Sequence, residues 1–495
     1  MSTVAIAWRN IFRNARRSLL TLTAISIGAV AVLLFGGFVT TIVFGFQTEV
    51  VRKTGHVLVY RQGYFEFGAG RPGDYGIADP AGLIGLIKAD PALGPLVRVA
   101  APSLHLNGIA GNFARNTSKT FVGFGVVPSA RAAMMGWDGF GLGAGRSIST
   151  ALSDGDREGG VVGIGLARML QLCTALAVPE CRDAPDRVQP VLADVPAEDF
   201  SSLIERDPVA SDGGEAGGSG SAGAAGADVG GFGEGGVGTG AGAPPRDPRP
   251  RIELLAATAG GAPNVIGLHL IRAERQGVKE IDDNFVMMHL ELAQRLLFGR
   301  GEPMATAVHI QLQRSEDLEV ARGRLKALFA THNLDLETRS FTDVTPMYGQ
   351  VIGMFGAIFG FISMVMGVIV LFTVGNTMAM GVMERINEIG TLRALGLRRS
   401  GVRRLFLSEG VLLGVLGATI GTLIGIAIAA GINAAHLTWL PPSNVEPVPL
   451  RILVLHNPPL LVGCWVILVA LSALSSVLPA IKAARLLVVD ALRHV

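Results

Sequence analysis

The residues best suited to chemistry lie in one polar run, Met383 to Gly410, which reads MERINEIGTLRALGLRRSGVRRLFLSEG and separates two long apolar stretches. Ile386, Ile389, Leu392 and Leu395 recur every three residues, which predicts a short helix with one apolar stripe and with Glu384, Glu388 and Arg393 elsewhere on its surface. Arg385 adds a charge, while Gly390 and Gly396 allow close approach and a turn. The chemistry of such a segment is recognition, an apolar and charged surface docked into a groove on another protein. A helix lying on lipid headgroups fits the stripe too, although the acidic Glu384 and Glu388 speak against it.

Signals for catalysis are absent elsewhere. The dipeptide Gly-Lys does not occur, so there is no G-x-x-x-x-G-K-[ST] phosphate loop and ATP hydrolysis is not expected of this chain. There is no G-x-S-x-G elbow. The nine histidines are scattered, without H-E-x-x-H or zinc-type spacing, so neither a metal site nor a bound cofactor is expected. The adjacent Asp282 and Asp283 read as solvated loop residues rather than a catalytic pair. A formal charge of +2 gives no support to nucleic-acid binding.

The elements that must position the polar run are membrane helices. With 49% hydrophobic and 17% charged residues the chain is too apolar for an ordinary soluble protein. Four stretches lack any Asp, Glu, Lys or Arg: Leu19 to Phe46, Val344 to Met383, Gly410 to Val445, and Ile452 to Ile481. Each exceeds the roughly 20 apolar residues that span a bilayer core as a helix. The predicted spans are 19–46, 344–383, 410–435 and 452–481.

Arginines at 9, 13, 16 and 17, at 385 to 404, and basic residues at 482 to 493 hold 1–18, 384–409 and 482–495 on the cytoplasmic side. By alternation 47–343 and the loop 436–451 lie outside. Gly410, Gly414, Gly417, Gly421 and Gly425 form a seam on the third helix for close packing, within one chain or between two. The spans carry no buried charges of the kind that mark ion pathways, so the driving energy must come from a partner.

The outside region reads as a large α+β domain. Strand-like runs occur at Gly55 to Tyr60, Val97 to Ile109, Thr120 to Val127, Arg251 to Ala257, Asn264 to Leu270, Ala305 to Gln313 and Leu334 to Phe341. Ala81 to Lys88, Val162 to Leu172 and Leu318 to Thr331 read as helices. A flexible insertion covers 211–248, since 15 of the 33 residues from Ser211 to Ala243 are glycine and such a segment cannot bury a core. Cys173 and Cys181 lie where oxidation is permitted, as a disulfide or as two free thiols, and Cys464 sits in the fourth span as a packing residue.

The run ERINEIGTLRALG, followed by FLSEGVLLG, resembles the cytoplasmic signature of the MacB and FtsX class of ABC permeases. The start, AWRNIFRNARRSLLT, is similar to the amphipathic leading helix of that class, and the close, LPAIKAARLLVVDALR, to its end. GHVLVY after the first span resembles the lipoprotein-releasing branch, LolC and LolE. The resemblance implies four transmembrane helices with a MacB-like domain inserted between the first two, in a bacterial inner membrane. It further implies two permeases, identical or paralogous, on a separate ABC ATPase that holds the ATP and Mg, with 384–409 as the coupling segment. ATP-driven motion would then move the outside domains to release or export a lipoprotein or other amphipathic cargo, with a periplasmic cargo or acceptor protein and membrane lipids as further partners. The alternatives are an FtsX-like regulator of cell-wall hydrolases, or a receptor or scaffold without an ATPase.

Overall fold

The computed structural model describes residues 7–10, 13, 15–68, 70–142, 151–179, 181–183, 247–276, 279–439 and 448–486. The glycine-rich insertion up to 246, loop residues 440–447 and the tail from 487 lie outside this set.

Helix α1 (Ala15–Thr54) runs 40 residues, about 60 Å at 1.5 Å per residue, twice a typical hydrocarbon core. Its last turn leads directly to β1 (Val57–Arg61). The single glycine between them, Gly55, has φ +77°, and an added Cβ would stand 2.8 Å from the Ile310 carbonyl oxygen. Only glycine satisfies both conditions, so α1 passes into the sheet without a linker.

After α2 (Pro80–Ala89) come the long β2 (Val97–Asn112), β3 (Thr117–Val126), α3 (Pro128–Met135), β4 (Gly159–Gly163) and α4 (Ile164–Met169). Beyond the insertion follow β5 (Arg251–Ala257), β6 (Pro263–Glu274), β7 (Phe285–His289), α5 (Leu290–Phe298), β8 (Ala307–Leu312), α6 (Leu318–Thr331) and β9 (Leu336–Ser340). The nine strands form one sheet in the order β3-β7-β4-β6-β5-β2-β8-β1-β9, and a further β2–β3 pairing closes six of them into a ring. Leu104, Phe121, Leu254, Leu268 and Val286 fill the ring's core together with α4 and α5. The arm β8-β1-β9 has its own core, in which Val57, Val59 and Ile310 pack on Leu83 and Ile87 of α2 and Leu325 and Phe329 of α6.

Two local expectations change here. The run Val162 to Leu172, read as one helix, is split, because Val161 and Val162 are fully buried and paired with β6 on one side and β7 on the other. Asp282, read as a solvated loop residue, is buried, and its carboxylate accepts from the Ile164, Gly165 and Gln276 amides at 3.1, 2.7 and 2.8 Å. It thereby occupies the unsatisfied N–H groups that open α4.

Among the described residues, four helices are long and apolar enough to cross a membrane: α1, α7 (Pro346–Glu384), α9 (Arg399–Ala434) and α10 (Pro458–Arg485). Helix α1 packs on α7 and α9, and α10 packs on the same two, so the bundle order is α1-α9-α10-α7. The short α8 (Ile386–Ala394) joins α7 to α9. The fourth span begins as a helix only at Pro458, not at Ile452. Asn457 precedes Pro458 and caps the helix by accepting from the Leu460 amide at 3.2 Å, as the residue before a proline is held out of the helical region. Ile452 to Val454 instead pack on Gly37, where the Leu453 amide donates to the Gly37 carbonyl at 3.2 Å. Cys173 and Cys181 are joined as a disulfide, Cα to Cα 5.4 Å, with Asp183 accepting from the Cys173 and Thr174 amides.

Candidate functional site

The run from Glu384 to Gly396 forms the end of α7, a turn at Arg385, the two and a half turns of α8, and a turn at Leu395 and Gly396. Gly396 has φ +98°, which suits the only residue type without a Cβ penalty there. Arg385 is buried, and its guanidinium meets the buried Glu409 of α9 at 3.3 Å. Arg17 of α1 grips both oxygens of Glu384, and Arg13 pairs with Glu388. Arg393 donates to the Leu486 carbonyl just past α10. The segment is therefore tied to α1, α9 and α10 at once. Arg17, Arg385 and Glu409 also line a cavity of about 20 Å³, room for one water molecule.

The apolar residues do not stay on one stripe. A helix turns about 100° per residue, so a three-residue repeat drifts about 60° at each step, and four such residues spread over half the circumference. Ile389 and Gly390 are buried, Ile386 is half-buried, Leu392 is exposed, and Leu395 is 81% exposed at the cap beyond α8. Ile386 and Ile389 pack inward, whereas Leu392 and Leu395 present an uncovered apolar corner.

The glycine seam of α9 lies against the same chain. Added Cβ atoms at Gly410 and Gly414 would collide with Ser476 and Ser472 of α10. At Gly417, Gly421 and Gly425 they would meet Ile25, Ala29 and Leu33 of α1. The close approach admits hydrogen bonds from Ser26 Oγ to the Gly417 carbonyl at 3.0 Å and from Ser472 Oγ to the Gly410 carbonyl at 2.8 Å.

At the opposite end of α1 lies a polar set that no motif announces. The last carbonyls of a helix lack intrahelical partners. Here Gln311 of β8 donates to the Val51 carbonyl at 3.2 Å, Arg131 of α3 to the Lys53 carbonyl at 2.6 Å, and His309 Nδ1 to the Thr54 carbonyl at 2.7 Å. His309 Nε2 accepts from Ser103 Oγ at 2.6 Å, so the imidazole is neutral with its proton on Nδ1. Burial pushes its pKa down to about 3, and those of His56 and His105 down to about 4. His56 accepts from the Leu312 amide at 3.0 Å and lies edge-on to Trp137, whose carbonyl receives Arg52 Nε at 2.7 Å. Arg131, His309 and Gln311 stand 78, 255 and 260 positions from the carbonyls they meet, so no local pattern could reveal them. Among the described residues, no group of three or more His, Cys, Asp or Glu could hold a metal ion.

Four helices long and apolar enough to cross a membrane, with a strand-rich region between the first and second and a short helix between the second and third, fit a membrane helical permease. Residues 354–488 match the FtsX-like permease C-terminal family. An ABC transporter permease of Methanocaldococcus jannaschii, MJ1507, is 26% identical over 31% of this chain and 39% of its own length. The pyoverdine export ATP-binding/permease protein PvdT of Pseudomonas entomophila is 28% identical over 46% of this chain and 33% of its own length. The macrolide export ATP-binding/permease protein MacB of Rhodopirellula baltica is 28% identical over 24% of this chain and 18% of its own length. The chain thus spans well under half the length of these relatives. Residues 354–488 are thus those of an FtsX-like permease domain, and the chain is similar to ABC transporter permeases of the MacB/FtsX type.

Proposed function

We propose that this chain is the permease subunit of an inner-membrane ABC transporter, coupled through Glu384 to Gly396 to a separate ATP-hydrolysing subunit. The sheet domain lies on the outer face, and the nucleotide-driven stroke moves it to release or export a lipoprotein or another amphipathic cargo. A second permease, identical or related, completes the assembly.

The observation that carries this reading is the placement of α8. Its inward residues bind it to three membrane helices, while Leu392 and Leu395 stand uncovered beside a dense set of arginines. A segment held this way delivers any displacement at its exposed corner directly to α1, α9 and α10. The names of PvdT and MacB support an export role, and GHVLVY at the start of the sheet domain supports a lipoprotein cargo.

The test is Leu395→Asp in the assembly purified in mild detergent. Leu395 touches little in its own chain, so insertion and melting temperature should match wild type. A carboxylate forced into a partner's groove costs several kcal/mol in order of magnitude, so ATP-driven movement of the sheet domain should be lost. Full ATP-dependent activity in this variant refutes the coupling role. Identification of the proteins and lipids that co-purify tests the cargo, and recovery of a cell-wall hydrolase instead replaces the release role with a regulatory one.

A further inference from the structure

Two helices, α1 and α7, connect the bundle to the sheet domain, and they are joined to it differently. Helix α1 enters β1 through Gly55 alone, and its terminal carbonyls receive Gln311, Arg131 and His309 from the sheet and from α3. Val50 and Val51 are buried against Trp137 and Phe341. Because the imidazole and amide donors are sheltered from water, separating them from their carbonyls would leave buried groups unsatisfied.

Helix α7 starts after a break. Thr345 has φ −125° and ψ 74°, without a side-chain cap bond, and Pro346 follows. The preceding turn, Phe341–Val344, closes on its own capping box of Ser340 and Asp343. Across the break run two backbone bonds, from the Thr345 amide to the Phe341 carbonyl at 3.1 Å and from the Tyr348 amide to the Thr345 carbonyl at 2.9 Å, and a ring contact of Phe341 with Tyr348. Among the described residues no side-chain hydrogen bond joins the start of α7 to the sheet, and Tyr348 otherwise meets Phe46 and Gln47 of α1. Glycines at 349, 353, 356 and 360 have open space where a Cβ would stand, so the first turns of α7 are also loosely packed.

We propose that α1 is the arm that carries movement into the sheet domain, locked to it by Gln311, Arg131 and His309, while α7 yields at Thr345. The same helix holds Glu384 through Arg17 at its other end, with Arg13, ahead of its first residue, on Glu388, so one rod of about 60 Å runs from the coupling segment to the sheet. The assignment rests on the transport reading for its direction, but the difference in stiffness does not.

The test uses the full-length chain in lipid nanodiscs in a Cys464→Ser background, spin-labelled at Ser118→Cys in the sheet and, in turn, at Gly45→Cys on α1 or Gly353→Cys on α7. All three positions accept a side chain, Ser118 being exposed and the two glycines open. The α1 pair should give the narrower distance distribution. His309→Leu with Gln311→Leu should widen it to match the α7 pair, whereas His309→Gln, which keeps a donor for the Thr54 carbonyl, should not. Equal widths in the otherwise unaltered chain overturn the proposal, and this arm needs no ATPase.

A second arm uses the complex with its ATPase and follows ATP-driven displacement of the Ser118 label. Gly-Gly inserted between Thr345 and Pro346 should leave the displacement at wild-type size, and the same insertion between Thr54 and Gly55 should abolish it. The reverse pattern overturns the proposal. Absence of displacement in the wild-type complex counts against the transport reading, while the nanodisc widths still decide the joint.

Discussion

The two ends of α1 are held by opposite chemistry. At the coupling end, Arg13 and Arg17 reach carboxylates on long side chains that are about half exposed. At the sheet end, His309, Gln311 and Arg131 donate to backbone carbonyls from buried or half-buried positions. Charges in water attract each other weakly and exchange partners easily, whereas a buried carbonyl stripped of its donor has no water to turn to. The first end can be rearranged by a docking partner and the second resists rearrangement. Arg385 and Glu409 are the exception at the coupling end, a buried pair that fixes the start of α8 to α9.

That exception gives the largest expected effect. Glu409→Ala leaves the Arg385 guanidinium buried without its carboxylate, and loss of one partner from such a pair costs about 3–5 kcal/mol. Thermal unfolding in detergent should show it as a large drop in melting temperature, and Arg385→Met with Glu409→Leu should recover most of it. A drop no larger than that of the exposed pairs would show that water reaches Glu409.

Gly55→Ala sharpens the other side of the comparison. The left-handed backbone and the Ile310 carbonyl together predict a loss on the order of 2 kcal/mol, with the sheet domain still folded but its join to α1 loosened. Faster hydrogen exchange at Gly55 and His56, with little change at β7, is the signature to measure. Uniform exchange at both places would mean the joint is no stiffer than its surroundings.

Acid acts on the sheet end through its buried histidines. Unfolded histidines take protons near pH 6.5, whereas His56 and His105 resist until about 4 and His309 until about 3. Between these limits the unfolded state binds more protons, so stability is fully present above pH 6.5 and falls as pH drops through 4. Melting temperature against pH should bend downward in this window, and the bend should shrink in His309→Gln.

The smallest effect belongs to the exposed end. Arg13→Ala should change stability by no more than about 0.5 kcal/mol, as surface substitutions generally do. Melting of this variant beside Glu409→Ala compares the two kinds of link within the same few turns.

Secondary structure was legible in the sequence where a pattern was long or alternating, as in the charge-free runs that became α7 and α9 and the strands β2 and β5. FVMMH, the buried β7, has no alternation to distinguish it from a piece of helix, and the glycines of β4 argue against a strand until its neighbours are known. For the coupling segment, residue types were legible but faces were not, since the three-residue repeat places Leu395 opposite Ile386. The joint at Thr54 was not legible at all.

The sequence by itself determined four apolar spans, because bilayer thickness translates directly into a run of residues without charge, and it determined their signature between the second and third. Only the tertiary structure decided which acids pair with Arg13 and Arg17, 375 and 367 positions away, and which side chains close the end of α1. Helix and span signals arise from neighbours along the chain, whereas a hydrogen bond between His309 and Thr54 exists only after β8 has paired with β1 and brought 255 intervening positions to 2.7 Å.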